Sequence, residues 1–376
     1  WGRRFGDPLM AAPPRPNPDS GRRLRVGYVS ADFRRHSCAF FIEPVLENHD
    51  RGNFEITCYG TGGGRDAVTE LFEGLAERWR DISTLSDEQA ANAVREDEID
   101  ILVDLSGHTM NNRLGLFARK PAPVQVTWLG YPNTTGLNAM DARLTDAIAD
   151  PGEGFYSETL VRLENGFLCY RPPADAPQIE PRAPDGPVTF GSCNNLAKLS
   201  PPAIETWAEI LKRNPGSRLL LKAKALGDPD SARRVIGVFA AHGIAPERLD
   251  LMGWIEDGDH LSLYNLIDVA LDPFPYNGTT TTCEALWMGT PVVTLRGESH
   301  AGRVGASLLF RAGREDLIAK DREAYVDLAC AGNIKGGAEL RKAMRASPLT
   351  DGKAFTRSLE DALRTLWRDK AERGHG

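Results

Sequence analysis

Four consecutive threonines, Thr279 to Thr282, stand where a Pro- and Tyr-rich approach (DPFPY) gives way to the segment CEALWMG. Ala, Leu and Met favour a helix there, and Gly289 followed by Pro291 supplies its C-terminal stop. The hydroxyls, with Asn277 and Gly278 just before them, therefore lie over a helix N-terminus. Free N–H groups and the positive end of the helix dipole favour an anion at such a place, and hydroxyls add donors without adding charge. A structural reading fits the same residues, since Thr281 and Glu284 have the spacing of a capping box. One threonine is enough for a box, and four are present.

Lys198 follows an apolar run in GSCNNLAKLSPPAIETWAEILKR, in a polar loop before an amphipathic helix that begins near Pro201. A lysine beyond the carboxyl end of a strand can meet a pyrophosphate as a point charge, although most loop lysines are simply solvated. In VGYVSADFRRHSC, residues Asp32, Arg34, Arg35 and His36 come just past the first strand, and His36 could act as a base or as a donor to a sugar. VDLSGHT and LGYPNTTG add Gly107, His108, Thr109 and Gly136 in loops after two further strands, where glycine lets backbone approach a ligand closely.

Short apolar, β-branched runs alternating with helical stretches predict α/β architecture with mainly parallel sheets. Strands are expected at 24–30, 54–60, 99–105, 124–130 and 142–149, then at 188–192, 217–223, 248–253, 268–272 and 291–295. The fold class that follows is two doubly wound, Rossmann-like lobes facing across a cleft, the cleft being the default ligand site. The expected divisions are a linker at 1–21, a first lobe at 22–175, a proline-crowded interlobe linker at 176–186, a second lobe at 187–350, and a C-terminal segment at 351–376 with an amphipathic helix at 355–370.

Composition narrows the function. A net charge of -7 offers no global attraction for nucleic acid or an anionic membrane, so neither is expected as a partner and any phosphate needs a local site. No run of about 18 apolar residues is present to span a bilayer. Six cysteines without a CxxC pair argue against a zinc site or a disulfide framework and for a cytoplasmic setting. The acidic pairs DPD (228–230) and DGD (257–259) read as turns and not as a metal-binding DxD motif. YGTGGGRDA lacks the third glycine of a dinucleotide fingerprint.

The stretches VGYVSADFRRH, DILVDLSGHT, PAPVQVTWLGYPNTTG, NNLAK, DPFPYNGTTTTCEALWMGTPVVT and HAGRVGASLL, in that order from about Leu24 to Trp367, resemble the protein O-GlcNAc transferase and SPINDLY family of glycosyltransferases. The resemblance implies a GT-B fold and an inverting, metal-independent transfer of a sugar to Ser or Thr of a protein acceptor, with no cofactor. A TPR superhelix normally precedes this region, and the resemblance makes residues 1–21 the remnant of a linker. It gives Lys198 the charge of the departing diphosphate and places Asn195, Thr280, Thr281, Glu284 and His260 against the nucleotide. His36 falls near the donor sugar as a candidate base. Thr279 stands where animal enzymes have His and His108 where they have Tyr, while the GTTTT run is similar to plant SPINDLY, whose donor is GDP-fucose. UDP-GlcNAc is the first donor expected and GDP-fucose the second. A nucleotide-sugar epimerase and a nucleotide-sugar-binding module with a dead site are the rival readings.

Overall fold

The computed structural model describes residues 1–15, 19, 21–180, 186–255 and 260–373. Two compact units account for the chain, one formed by Trp1–Arg171 together with Asp351–Gly376 and the other by Pro172–Thr350.

In the first unit the strands are β1 (Leu24–Ser30), β2 (Phe54–Gly60), β3 (Arg78–Asp81), β4 (Ile101–Asp104), β5 (Val124–Thr127), β6 (Ala142–Thr145) and β7 (Thr159–Arg162). They form one sheet in the order β3-β2-β1-β4-β5-β6-β7, every pair parallel. Burial on both faces explains the near-continuous apolar runs of β1, β2 and β4 to β6. The second unit holds β8 (Thr189–Ser192), β9 (Arg218–Lys222), β10 (Leu249–Met252), β11 (Val269–Leu271), β12 (Val292–Leu295) and β13 (Ile318–Ala319). Its order is β10-β9-β8-β11-β12-β13, again parallel throughout.

Both orders reverse beside the strand that opens the sheet, at β1/β4 and at β8/β11. Such a switch point leaves a crevice at the carboxyl ends of its two strands, because the connections on either side run in opposite directions. The loops that leave β1, β4, β8 and β11 carry His36, His108, Lys198 and the threonines respectively. Topology alone thus delivers the chemically suggestive residues to the crevice of each sheet.

Ten strands lie where hydrophobic patterning places them, mostly one to four residues shorter at their ends. The pattern misses β3, β7 and β13. β3 and β7 are edge strands whose sequences, RWRD and TLVR, are only partly buried, so no apolar run announces them. DPD, expected as a turn, is a helix start: the Asp228 carboxylate accepts from the Ser231 N–H at 2.9 Å and caps the helix Pro229–Ala241. DGD at 257–259 lies outside the described residues. Residues 2–9, expected as part of a linker, coil into two short helical turns that rest on the loop after β5, where Asn138 Nδ2 donates to Asp7 Oδ2 at 2.9 Å. The six cysteines are free, and no helix among the described residues is long and apolar enough to cross a membrane.

The last helix runs from Gly352 to Arg373, longer at both ends than its amphipathic core suggests. Phe355, Leu359, Leu363 and Trp367, spaced by four, make a stripe that is at most 1% exposed in the core of the first unit. Phe355 stacks on Trp128 with ring centroids 6.0 Å apart, and the Arg22 guanidinium lies 5.4 Å from the Trp367 ring centroid. The helix is therefore a structural member of the first unit. Trp367→Ala is expected to destabilise the chain by about 3–5 kcal/mol in urea denaturation; a loss under about 1 kcal/mol would show that the helix is a surface appendage.

Candidate functional site

In the second unit the loops after β8 and β11 are tied together at three points. Lys198 Nζ donates to the Asn277 carbonyl at 2.7 Å, Thr281 Oγ1 donates to Asn194 Oδ1 at 3.0 Å, and Ser200 Oγ donates to the Phe274 carbonyl at 2.5 Å. Ser200 also caps the helix Pro201–Arg213 through the Ala203 N–H at 3.3 Å, so that helix fixes the β8 loop in turn. The ammonium of Lys198 sits 4.2 Å from the ring centroid of Tyr276. Burial lowers its pKa, and the Asp272 carboxylate opposes that shift.

The helix behind the threonines runs Thr280–Trp287 with Thr279 at its cap position, and no side chain caps it. Thr281 is spent on Asn194, and the Glu284 carboxylate accepts from Tyr264 Oη at 3.0 Å with His260 Nε2 also 3.0 Å away. The capping box is therefore not formed. The leading N–H groups of the helix, together with the half-buried Thr279 and Thr280, are left to an external acceptor. A cation, an uncapped helix end and adjacent hydroxyls are donors of the kind that can hold an anion.

The remaining residues expected here serve in different ways. Asn277 is fully buried, its Nδ2 donating to the Pro273 carbonyl at 3.0 Å and its Oδ1 accepting from Gly305 N–H at 3.2 Å, so its side chain is scaffold and its carbonyl is what meets Lys198. Asn195 is exposed and caps its own turn through the Ala197 N–H at 3.0 Å. At Gly278 a Cβ would come within 2.6 Å of Thr281 Oγ1 and 2.9 Å of Asn194 Oδ1, so only glycine lets the turn close. Beneath the turn, Asp272 accepts from Gly278 N–H and from Thr294 Oγ1, each at 2.6 Å, and burial pushes its carboxyl up to about 7.

Sequence reading overlooked Asp272, Asn194 and Tyr264. A carboxylate as the last residue of an otherwise apolar strand run (DVALD) was the available signal for the first. Asn194 and Tyr264 gave none, because their roles come from contacts across 87 and 20 residues of chain.

In the first unit His36 is 39% exposed at its side chain, with Nδ1 3.5 Å from Asp32 Oδ2 and accepting from Cys38 N–H at 3.2 Å. Burial lowers its pKa, with the Asp32 carboxylate raising it and Arg34 adding to the depression. The Cys38 bond favours a lone pair on Nδ1 and a proton on Nε2, whereas a proton on Nδ1 toward Asp32 would leave Nε2 free to accept. Asp32, His36 and Cys38 bring ligand-type atoms within 4.8 Å of one another, but burial pushes the Cys38 thiol up to about 12, away from the thiolate a metal needs. The exposed His108 sets Nε2 2.8 Å from the Thr135 carbonyl, next to Gly136. Gly107 takes φ +52°, and a Cβ there would lie 2.3 Å from that of Tyr131.

The profile of glycosyl transferase family 41 matches residues 11–170 and 178–358. The chain is 43% identical over 387 residues to a tomato (Solanum lycopersicum) protein named probable UDP-N-acetylglucosamine–peptide N-acetylglucosaminyltransferase SPINDLY, covering 98% of this chain and 41% of that protein. A rice (Oryza sativa subsp. japonica) protein of the same name is 44% identical over 98% of the chain and 41% of its own length. The chain thus spans about 41% of the length of these curated relatives. Among solved structures, a mutant of the Thermobaculum terrenum O-GlcNAc transferase superposes with a TM-score of 0.94 at 44% identity, covering 99% of this chain and 73% of that one. Two doubly wound parallel sheets with this likeness are the GT-B fold.

Gly278→Ala should cost about 1–3 kcal/mol in urea denaturation by overpacking. In a Thr281→Ala background the cost should shrink; an undiminished cost would show that contact with Thr281 is not its origin.

Proposed function

The chain belongs to glycosyl transferase family 41, and we propose that it transfers a sugar from a nucleotide diphosphate donor to Ser or Thr hydroxyls of a protein acceptor. UDP-GlcNAc is the donor proposed first, in keeping with the names of its relatives. The observation that carries the reading is the tie between Lys198 and the threonine loop, which brings a cation to an uncapped helix end at a strand switch point.

In the proposed reaction the acceptor hydroxyl oxygen bonds to the anomeric carbon on the face opposite the diphosphate, the bond from that carbon to the diphosphate oxygen breaks, the oxygen leaves with the diphosphate, and the configuration inverts. Negative charge grows on the leaving diphosphate. Lys198 with the leading N–H groups of the helix and the hydroxyls of Thr279 and Thr280 would receive it, since Thr281 is held by Asn194 and Thr282 is buried, and fixed donors of this kind need no reorganisation at the moment of reaction. Its low-polarity surroundings strengthen that attraction, at the cost of a lysine easier to deprotonate. Glu284, set by His260 and Tyr264, is assigned to the ribose hydroxyls as an acceptor. His36 is assigned as the base; accepting the hydroxyl proton at Nε2 requires the tautomer with its proton on Nδ1, directed to Asp32 in place of the Cys38 N–H bond.

The GTTTT run keeps GDP-fucose as the second donor, and a donor panel of UDP- and GDP-sugars separates the two. A nucleotide-sugar epimerase would instead convert UDP-GlcNAc with no acceptor protein present. Lys198→Ala should lower turnover by about 10²–10³-fold while leaving the melting temperature within a few degrees, with the wild-type rate unchanged by a chelator. Full turnover in the folded variant would remove Lys198 from the site, and chelator inhibition would overturn metal independence.

If His36 is the base, the acidic limb of kcat/KM falls below pH 6.5, because burial favours the neutral ring. Activity is then present above the His36 pKa and lost as pH falls through it. His36→Ala should abolish that limb along with most of the rate; an unchanged limb in this variant would make His36 a donor to the sugar.

A further inference from the structure

Trp254 follows β10 and is 62% exposed, an unusual position for an indole. Lys222 Nζ and Lys224 Nζ lie 5.6 and 5.8 Å from its ring centroid, and neither lysine forms an ion pair among the described residues. Even with both ammonium groups against it, most of the indole surface remains open.

Its surroundings hold it in place. Met252 pairs with Lys222 in the sheet, and Ala223 N–H donates to the Met252 carbonyl at 3.0 Å. A Cβ on Gly253 would come within 2.8 Å of Gly227 Cα, so the turn Lys224–Gly227 lies directly against the backbone that presents Trp254. That same turn packs on Leu196–Lys198, the turn bearing the proposed phosphate lysine. Along the carboxyl edge of the sheet, then, the order is Trp254 after β10, Lys222 and Lys224 at the end of β9, Lys198 after β8 and the threonines after β11.

We propose that Trp254, steadied by Lys222 and Lys224, is the stacking platform for the nucleobase of the donor. The proposal rests on the nucleotide-sugar reading above and adds the element that reading lacks, a partner for the base at the far end from the diphosphate. A planar base covers an indole face at little entropic cost, and stacking of this kind is tolerant of base identity. Trp254 would then set how tightly a nucleotide is held while leaving the donor sugar to other residues.

The test is calorimetric titration of wild type, Trp254→Ala and Trp254→Phe with UDP, GDP and inorganic pyrophosphate. Whichever nucleotide binds wild type should bind Trp254→Ala about 5- to 100-fold more weakly. Trp254→Phe should retain most of the affinity, pyrophosphate should not distinguish the three proteins, and the melting temperature without ligand should be the same because the side chain is exposed. Equal nucleotide affinity in wild type and Trp254→Ala overturns the platform while the nucleotide-sugar reading stands. Equal losses for nucleotide and pyrophosphate also overturn it, since Trp254 would then act through the phosphate site. Wild type binding neither UDP nor GDP sinks both the platform and the reading beneath it.

Discussion

One buried carboxylate organises the second unit. Asp272 ends β11 and accepts from the Gly278 amide on one oxygen and from Thr294 on the other, while its own carbonyl receives the Tyr325 hydroxyl at 3.0 Å. Those bonds fix where the chain turns and hence where the helix behind the threonines begins. A fully charged carboxylate under the proposed anion site would be costly, since like charges in a poorly solvated site repel strongly. Burial offsets that cost by pushing Asp272 up to about 7, so near neutrality the group is in part a neutral acid. The same carboxyl favours the charged form of Lys198, so the cation of the site and the acid beneath it tune each other.

The threonine run is best understood by what it forgoes. An N-cap bond from Ser, Thr or Asp is typically worth about 1 kcal/mol, and Asp66, Ser86, Ser200, Asp228 and Asp321 all supply one at other helices of this chain. The helix Thr280–Trp287 is left without one, as are those that begin at Ala39, Leu114, Val304 and Ala338, but only here do four hydroxyls stand at the start. Thr281 is turned toward the β8 loop and Glu284 toward His260 and Tyr264. What distinguishes this start is that its candidate caps are present and turned elsewhere, which leaves the leading N–H groups open to an external acceptor.

Much of this was legible in the sequence because parallel strands buried on both faces leave apolar runs, and glycine, proline and capping residues punctuate them. Residues 24–30 and 54–60 coincide with β1 and β2 to the residue. Where the signal failed, tertiary context had replaced it: RWRD pairs at a sheet edge with an exposed face, and Asp228 caps a helix where the Pro after it suggested a turn. In the site, Lys198 and the threonines could be chosen by residue type at the carboxyl ends of strands. The scaffold role of the Asn277 side chain could not, because it depends on Gly305 and Pro273 closing around it. Nor could the use of Asn194 in place of Asn195 to meet Thr281, since adjacent asparagines are alike until the backbone sets which one faces inward.

The placement of the last helix has an effect on how the molecule comes to be made. The chain leaves the first unit at Arg171 and re-enters it at Asp351, so the second unit is an insertion within the first. During synthesis the earlier sheet emerges well ahead of the aromatic stripe that completes its interior, and Trp128 waits for Phe355 across more than two hundred residues. The inserted unit, contiguous in sequence, can close independently, whereas its host must hold an unfinished apolar face until the helix Gly352–Arg373 has been made. Maturation therefore runs from the middle of this stretch outward, with the second unit free to assemble before the first, which surrounds it in sequence.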